Sequence, residues 1–91
     1  MQKDIKKLLA RHEDLTHSQM KKVTSHVQRV EDEWYINTLM IEDCAVPFRY
    51  KRRKKYQNLK GARVDLTYYP TVLDVGGIEM EVMNVVKINR S

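Results

Sequence analysis

The sequence predicts an α+β domain in which a helical N-terminal segment packs on a small antiparallel β-barrel. Residues 1–33 contain neither Gly nor Pro and carry apolar side chains at helical spacing. From Trp34 onward the apolar spacing becomes two, with many β-branched and aromatic residues and frequent turn signals. The chain has 91 residues, enough for one domain and too few for two. We therefore expect a single domain at 1–91, with a helical segment at 1–33 and a β segment at 34–91.

The helical segment is predicted to be a pair of helices joined by a tight turn. Apolar residues step by three or four positions along one stripe: Met20, Val23, Val27, Val30 and Trp34. Thr16 and Gln19 have the spacing of a capping box, and Leu15 with Met20 that of a hydrophobic staple, so a helix start is expected here. A shorter helix at about 3–12 would precede it. One long helix is the alternative.

Five short strands are expected in the rest of the chain. The first four are predicted at about 34–41, 46–51, 62–69 and 71–75, and the last begins at Ile78. Gly76 and Gly77 suit a two-residue hairpin turn before the last strand. In that strand Ile78, Met80, Val82, Val86 and Ile88 would share one face, with a bulge at Asn84.

Short strands with tight turns favour a sheet that curls into a small barrel and so limits its exposed edges. An SH3-like barrel is our first choice. An oligonucleotide-binding (OB-like) barrel is the second, because it commonly has a helix between its third and fourth strands. In the predicted layout, residues 69–71 leave room there only for a turn around Pro70.

Several classes of active site are not supported by the sequence. It contains no Gly-rich phosphate loop, no nucleophile elbow, no zinc-protease motif and no dinucleotide fingerprint. His12, His17 and His26 do not have the three- or four-residue spacing of helical metal ligands. Cys44 follows two acids that would suppress its thiolate, and Glu79 and Glu81 are best interpreted as solvated side chains. We therefore expect a non-catalytic protein with no metal, no cofactor and no small-molecule substrate.

The expected compartment follows from two further features. Cys44 is the only cysteine, which excludes an intramolecular disulfide and favours a reducing environment. The sequence has no run of 18 apolar residues and no apolar core typical of a signal peptide near residue 1. We therefore expect a cytoplasmic protein with no membrane partner.

The charge is concentrated in the middle of the chain. Residues 44–64 contain eight basic residues and no acid, whereas the net charge of the whole chain is +5. Along this stretch Arg49, Lys51, Arg53 and Lys55 would line one face of an extended strand. Arg52 and Lys54 would fall on the other face, where a barrel interior cannot hold them without a large desolvation cost. We therefore expect the chain to leave the sheet as a protruding hairpin or loop at about 52–61.

This basic arm favours nucleic acid as the partner, specifically RNA or a single strand bound with low sequence specificity. Cations would displace counterions from phosphates, and the two tyrosines would stack on unpaired bases. The predicted binding residues are Arg49, Tyr50, Lys51, Arg52, Arg53, Lys54, Lys55, Tyr56, Lys60 and Arg63.

Two alternatives remain open for the arm. The first is that its lysines and arginines only keep an exposed strand edge soluble and block edge pairing. The second is that it docks an acidic protein, or a second copy through the acidic cluster 31–33. A homodimer is also expected, because the helix stripe needs more apolar cover than a small barrel supplies. Its predicted contact residues are Met20, Val23, Val27 and Val30.

Overall fold

The computed structural model describes residues 15–91, which form five strands and no helix. The strands are β1 (Thr16–Glu31), β2 (Trp34–Ile41), β3 (Phe48–Arg52), β4 (Arg63–Val75) and β5 (Ile78–Arg90). The predicted helix at 3–12 lies outside the described residues. The α+β class with a helical pair is wrong for the part that is described, because residues 16–31 form the longest strand of an all-β domain.

The five strands close into a barrel in the order β1-β2-β3-β5-β4. All neighbouring pairs are antiparallel except β3 and β5, which run parallel over a short contact at Phe48 and Arg49. The predicted α+β fold with an SH3-like or OB-like barrel is thus corrected to a closed barrel of five strands, with no helix among the described residues. The β3–β4 connection is the loop 53–62, and it contains no helix.

The β1 strand belongs to two parts of the barrel at once. Its first half pairs with β4 from Thr16 to Lys22, and its second half pairs with β2 from Val23 to Glu31. Register shifts between Ser18 and Lys21 and again after Val23 bend the strand between these partners. The capping box and the hydrophobic staple are therefore not formed.

β4 and β5 form a long hairpin that extends beyond the closed barrel. The two predicted strands at 62–69 and 71–75 are one strand that continues through Pro70. Tyr68 is the last residue of β4 that pairs with β1. At Pro70 the strand is paired only with β5, so its missing amide hydrogen is tolerated. The predicted Gly76–Gly77 turn is confirmed, and both glycines have positive φ. The bulge in β5 is at Val86, not at Asn84, and it turns Val86 away from Ile88.

The core is apolar and lies inside the closed part of the barrel. β2 and β3 contribute cross-strand rows that point inward, Asn37 opposite Tyr50 and Leu39 opposite Phe48. One core residue, Leu59, comes from the loop 53–62 and is 1% exposed. The core cluster is Val23, Leu39, Ile41, Phe48, Tyr50, Leu59, Val64, Leu66, Val85 and Ile88.

Candidate nucleic-acid interface

The outer face of β1, β2 and β3 carries cations in two cross-strand rows. Lys51 on β3 lies opposite Ile36 on β2, which in turn lies opposite Arg29 on β1. In the next row on the same face, two residues along each strand, Arg49 lies opposite Thr38. Directly opposed residues point to the same side of a sheet. Arg29, Arg49 and Lys51 therefore share this outer face.

Trp34, at the start of β2, is partly covered by a guanidinium group. The Arg53 Cζ lies 4.8 Å from the centre of the Trp34 ring, within the range of a cation–π contact. The same guanidinium pairs with the Glu33 carboxylate at 3.3 Å. Trp34 remains 36% exposed, so part of its ring faces solvent. Trp34 was not predicted as a site residue, because its spacing placed it in the apolar stripe of a helix.

Tyr50 and Tyr56, the two aromatic residues predicted to stack on bases, lie elsewhere. Tyr50 is 2% exposed and belongs to the core. Tyr56 is half-buried and packs edge-on against Tyr50, with ring centres 5.5 Å apart. Arg52 stacks over both rings, with its Cζ 5.1 Å from the Tyr50 centre and 6.0 Å from that of Tyr56. These three side chains therefore pack with one another at the barrel's end, where Tyr50 offers no binding surface.

The loop 53–62 follows the barrel wall along β1, although we expected it to protrude. Gly61 N donates to Val23 O at 2.8 Å, and Val23 N donates to Ala62 O at 2.9 Å. Leu59 N donates to His26 Nδ1 at 2.9 Å. The buried side chain of Leu59 and these hydrogen bonds hold the loop in place.

His26 connects this loop to a buried polar group. Because His26 Nδ1 accepts from Leu59 N–H, the ring proton lies on Nε2, which donates to Asn37 Oδ1 at 2.8 Å. Gln28 Nε2 donates to the same Asn37 oxygen at 2.7 Å and to Tyr56 O at 3.2 Å. His26 therefore helps to position the loop.

The other predicted cations divide into two groups. Lys54, Lys55 and Lys60 are exposed on the loop, and Lys54 follows directly on from Arg53. Arg63 lies apart from them, at the start of β4 opposite Lys22. We use the name basic strip for the cations that run from the outer face into the loop: Arg29, Arg49, Lys51, Arg53, Lys54 and Lys55.

A cleft of about 330 Å³ lies between the outer face and the extended β4–β5 hairpin. The hairpin side of the cleft is apolar, and the side formed by β1, β2 and β3 includes two members of the basic strip, Arg29 and Arg49. Its apolar lining is Val27, Ile36, Pro47, Leu73, Val75, Met80 and Val82.

The acidic cluster 31–33 contacts the basic strip within the same chain. Arg29 pairs with Glu31 at 3.6 Å and Arg53 pairs with Glu33 at 3.3 Å. All four side chains are well exposed, so each pair contributes little to stability. Both contacts lie near the β1–β2 turn, where carboxylates already contact two cations of the basic strip.

The residues predicted to form a dimer stripe do not lie together. Val23 is completely buried in the core, whereas Met20, Val27 and Val30 are exposed. Val27 lines the cleft, and Met20 lies at the first bulge of β1. Val30 lies opposite Tyr35, three residues from Val27, and therefore on the other face of β1. The stripe required a helix that this segment does not form.

Residues 15–91 contain no cluster of three or more His, Cys, Asp or Glu side chains suited to a metal ion. Within the same residues, no helix is long and apolar enough to cross a membrane.

Comparison with models of protein families, with curated proteins and with solved structures found no match to this chain.

Proposed function

We propose that this protein is a non-catalytic binding domain for single-stranded nucleic acid, most simply RNA, which it binds with low sequence specificity along the basic strip. The observation that carries the proposal is the continuity of the strip. Arg49, Lys51 and Arg53 follow one another at alternate positions along β3 and its end, and Lys54 and Lys55 continue into the loop. A polyanion with regularly spaced charges suits such a row better than a compact anion does.

An aromatic ring beside the basic strip can contact a base. Trp34 lies at the edge of the strip beside Arg53, and stacking on an aromatic ring is tolerant of base identity. Oligonucleotide-binding barrels, which also have five strands, commonly bind ligands on the outer face of strands two and three, and the analogy with this five-stranded barrel is an argument from fold alone. Unpaired bases reach the Trp34 ring more readily than bases stacked inside a duplex.

The proposal is tested by fluorescence anisotropy with a labelled single-stranded oligonucleotide at about 50 mM salt. The strip variant replaces four cations by Gln: Arg49, Lys51, Lys54 and Lys55. We expect its affinity to fall and the slope of log K against log salt to become shallower by about 2 to 3, given a slope of about 0.7 for each phosphate contact on a single strand. Arg53 is kept, so that its contact with Trp34 remains.

A control variant removes the same charge elsewhere on the barrel, by replacing with Gln the four exposed cations Lys21, Lys22, Lys87 and Arg90. It should retain most of the affinity if the strip is the binding surface. Equal losses in the two variants, or no binding by the wild type at tens of micromolar protein, would contradict the proposal.

Trp34→Ala separates stacking from simple charge attraction. We expect it to weaken oligonucleotide binding by about 1 to 3 kcal/mol with little change in the salt slope. Trp34→Phe should keep much of that energy. Binding of inorganic polyphosphate, which has charges but no bases, should not depend on Trp34.

A second candidate function is docking of an acidic protein segment. It is favoured by the two ion pairs at Arg29 and Arg53, in which carboxylates already contact the strip. An acidic peptide that displaces the oligonucleotide with equal affinity would support this candidate. In either case we expect the protein to act in the cytoplasm, as the single Cys44 suggests.

A further inference from the structure

The outer half of the β4–β5 hairpin has two unpaired strand edges among residues 15–91. The last contact of β4 with β1 is at Tyr68, and the parallel contact of β5 with β3 involves only Met83 and Asn84. Among residues 15–91, the segment 71–82 therefore pairs only within itself. Unpaired edges with exposed apolar side chains are sites where another chain adds.

This hairpin has one apolar face and one acidic face. Opposed pairs on the first face are Leu73 with Met80 and Val75 with Ile78. Ile78 is 68% exposed, the highest exposure among the large apolar residues of 15–91. Opposed pairs on the second face are Val72 with Glu81 and Asp74 with Glu79. The hairpin 70–83 contains no basic residue.

The cleft beneath the hairpin has the complementary surfaces. One wall is the apolar face of the hairpin itself, and the floor on β1, β2 and β3 carries Arg29 and Arg49. An occupant that satisfies both sides must be apolar on one face and acidic on the other. The hairpin of a second copy of this chain has both properties.

We propose that the protein forms a two-fold symmetric dimer in which each hairpin enters the other copy's cleft. The apolar faces of the two hairpins pack on each other, around Val75, Ile78 and Met80. The acidic face of each hairpin then lies against the arginines of the opposite floor. Such an interface is isologous, because each copy offers the same hairpin and the same floor.

The cleft has to widen for this arrangement, since stacked β-layers lie about 10 Å apart. The proposal requires the outer half of the hairpin, which has no ladder to the barrel among the described residues, to move away from the floor. Of the four residues that the sequence predicted as dimer contacts, only Val27 lines the cleft. The proposal goes beyond nucleic-acid binding and does not depend on it.

Charge exchange tests this dimer by sedimentation velocity, without nucleic acid. The floor variant is Arg29→Glu with Arg49→Glu, and the hairpin variant is Glu79→Lys with Glu81→Lys. Each alone places like charges in both halves of the interface and should be monomeric at a concentration where the wild type is dimeric. An equimolar mixture pairs opposite charges in both halves, so it should recover the dimer. Asp74 is left unchanged because its carboxylate accepts a hydrogen bond from Gly77 N in the turn.

A neutral variant tests the apolar half of the interface. Ile78→Ser should raise the dimer dissociation constant about tenfold or more, because an isoleucine side chain loses its burial. Val86→Ser is the matched control, since Val86 is also exposed but lies on the barrel outside the hairpin. A monomeric wild type at about 100 µM, a mixture that stays monomeric, or equal effects of the two serine substitutions would each overturn the proposal.

Discussion

The hydroxyl of Tyr50 is buried without a hydrogen-bond partner among the described residues. Burial, reinforced by the nearby Tyr56, raises the pKa of this phenol above its ordinary value despite the opposing charge of Arg52. An unpaired buried hydroxyl opposes folding, because it loses its water without gaining another partner. The ring itself stabilises the core through its contacts with Tyr56 and Arg52.

Tyr50→Phe is therefore expected to leave stability unchanged or to raise the free energy of unfolding by about 1 kcal/mol. Tyr68→Phe is the matched control, because the Tyr68 hydroxyl is 2.9 Å from Ser18 Oγ and loses that hydrogen bond. The control should lower the free energy of unfolding by about 0.5 to 1.5 kcal/mol. Urea denaturation of both variants measures the difference. A less stable Tyr50→Phe would mean that the hydroxyl has a partner in solution.

Asp65 stabilises the first bulge of β1. Its Oδ1 accepts hydrogen bonds from Ser91 Oγ at 2.6 Å and from Met20 N at 2.9 Å, where Met20 has a φ of 54°. These hydrogen bonds, first that of Ser91 and then that of Met20, hold the pKa of Asp65 below its ordinary value of 3.8. The ionised form is thus favoured by folding.

The sign of the resulting pH dependence follows from this lowered pKa. The stabilisation is present above the ordinary pKa of 3.8 and is lost as the pH falls through the lower pKa of the folded state. We expect Asp65→Asn to reduce stability at pH 7 and to reduce it progressively less below pH 4, as wild-type Asp65 is protonated. Urea titrations across this range measure the effect. A difference between the two proteins that is independent of pH would contradict it.

At the scale of single residues, the sequence predicted the cations better than the aromatics. Lys51, Lys54 and Lys55 are exposed as expected, because lysine is rarely buried. The alternation of residues 48–56 predicted that Tyr50 shares a face with Arg52 but not that this face is internal. The charge of Arg52 suggested a solvent-facing side, whereas the structure accommodates it at the barrel's end by stacking on Tyr50 and Tyr56.

At the scale of elements, β2, β3 and the Gly76–Gly77 turn were predictable, and β1 was not. Two bulges interrupt the period of two that identifies a strand, and the interrupted pattern resembles helical spacing. Only Val23 among its sixteen residues is fully buried, so little apolar alternation is left to detect. The β-branched residues Val23, Thr24, Val27 and Val30 were the available signal.

The turn between β4 and β5 depends on backbone conformations that suit glycine. Gly76 has a φ of 59° and Gly77 a φ of 85°. A Cβ atom at either position would meet no other atom within 4 Å, so any cost of substitution is conformational and not steric.

Gly77→Val should therefore destabilise the hairpin by about 1 to 2 kcal/mol or more, because a β-branched residue strongly disfavours positive φ. Gly76→Asn should have a much smaller effect, since Asn tolerates the left-handed region. Thermal unfolding of the two variants makes the comparison. Similar losses for both would show that the turn adopts a different conformation in solution.

At the scale of the whole molecule, a closed five-stranded barrel could be predicted from the sequence, but its strand order could not. Short strands and turns predict closure, whereas the order is set by long-range pairings such as β1 with β4 and β3 with β5. Because β1 was assigned to a helix and β4 was divided at the turn expected around Pro70, the five predicted strands are not the five strands of the barrel. The separation of charge was predictable from the order of the residues, whereas the contacts of residues 31–33 with the basic strip could be known only from the fold.

The position of Arg49 connects the two proposed interactions. This residue belongs to the basic strip and also lines the cleft under the hairpin. A nucleic acid strand and the acidic hairpin of a second copy would thus compete for the same guanidinium group. By mass action, a rising concentration of the protein would then lower its own apparent affinity for nucleic acid, and a long strand would dissociate the dimer. The apparent affinity for nucleic acid would be highest when the concentration of the protein itself is low.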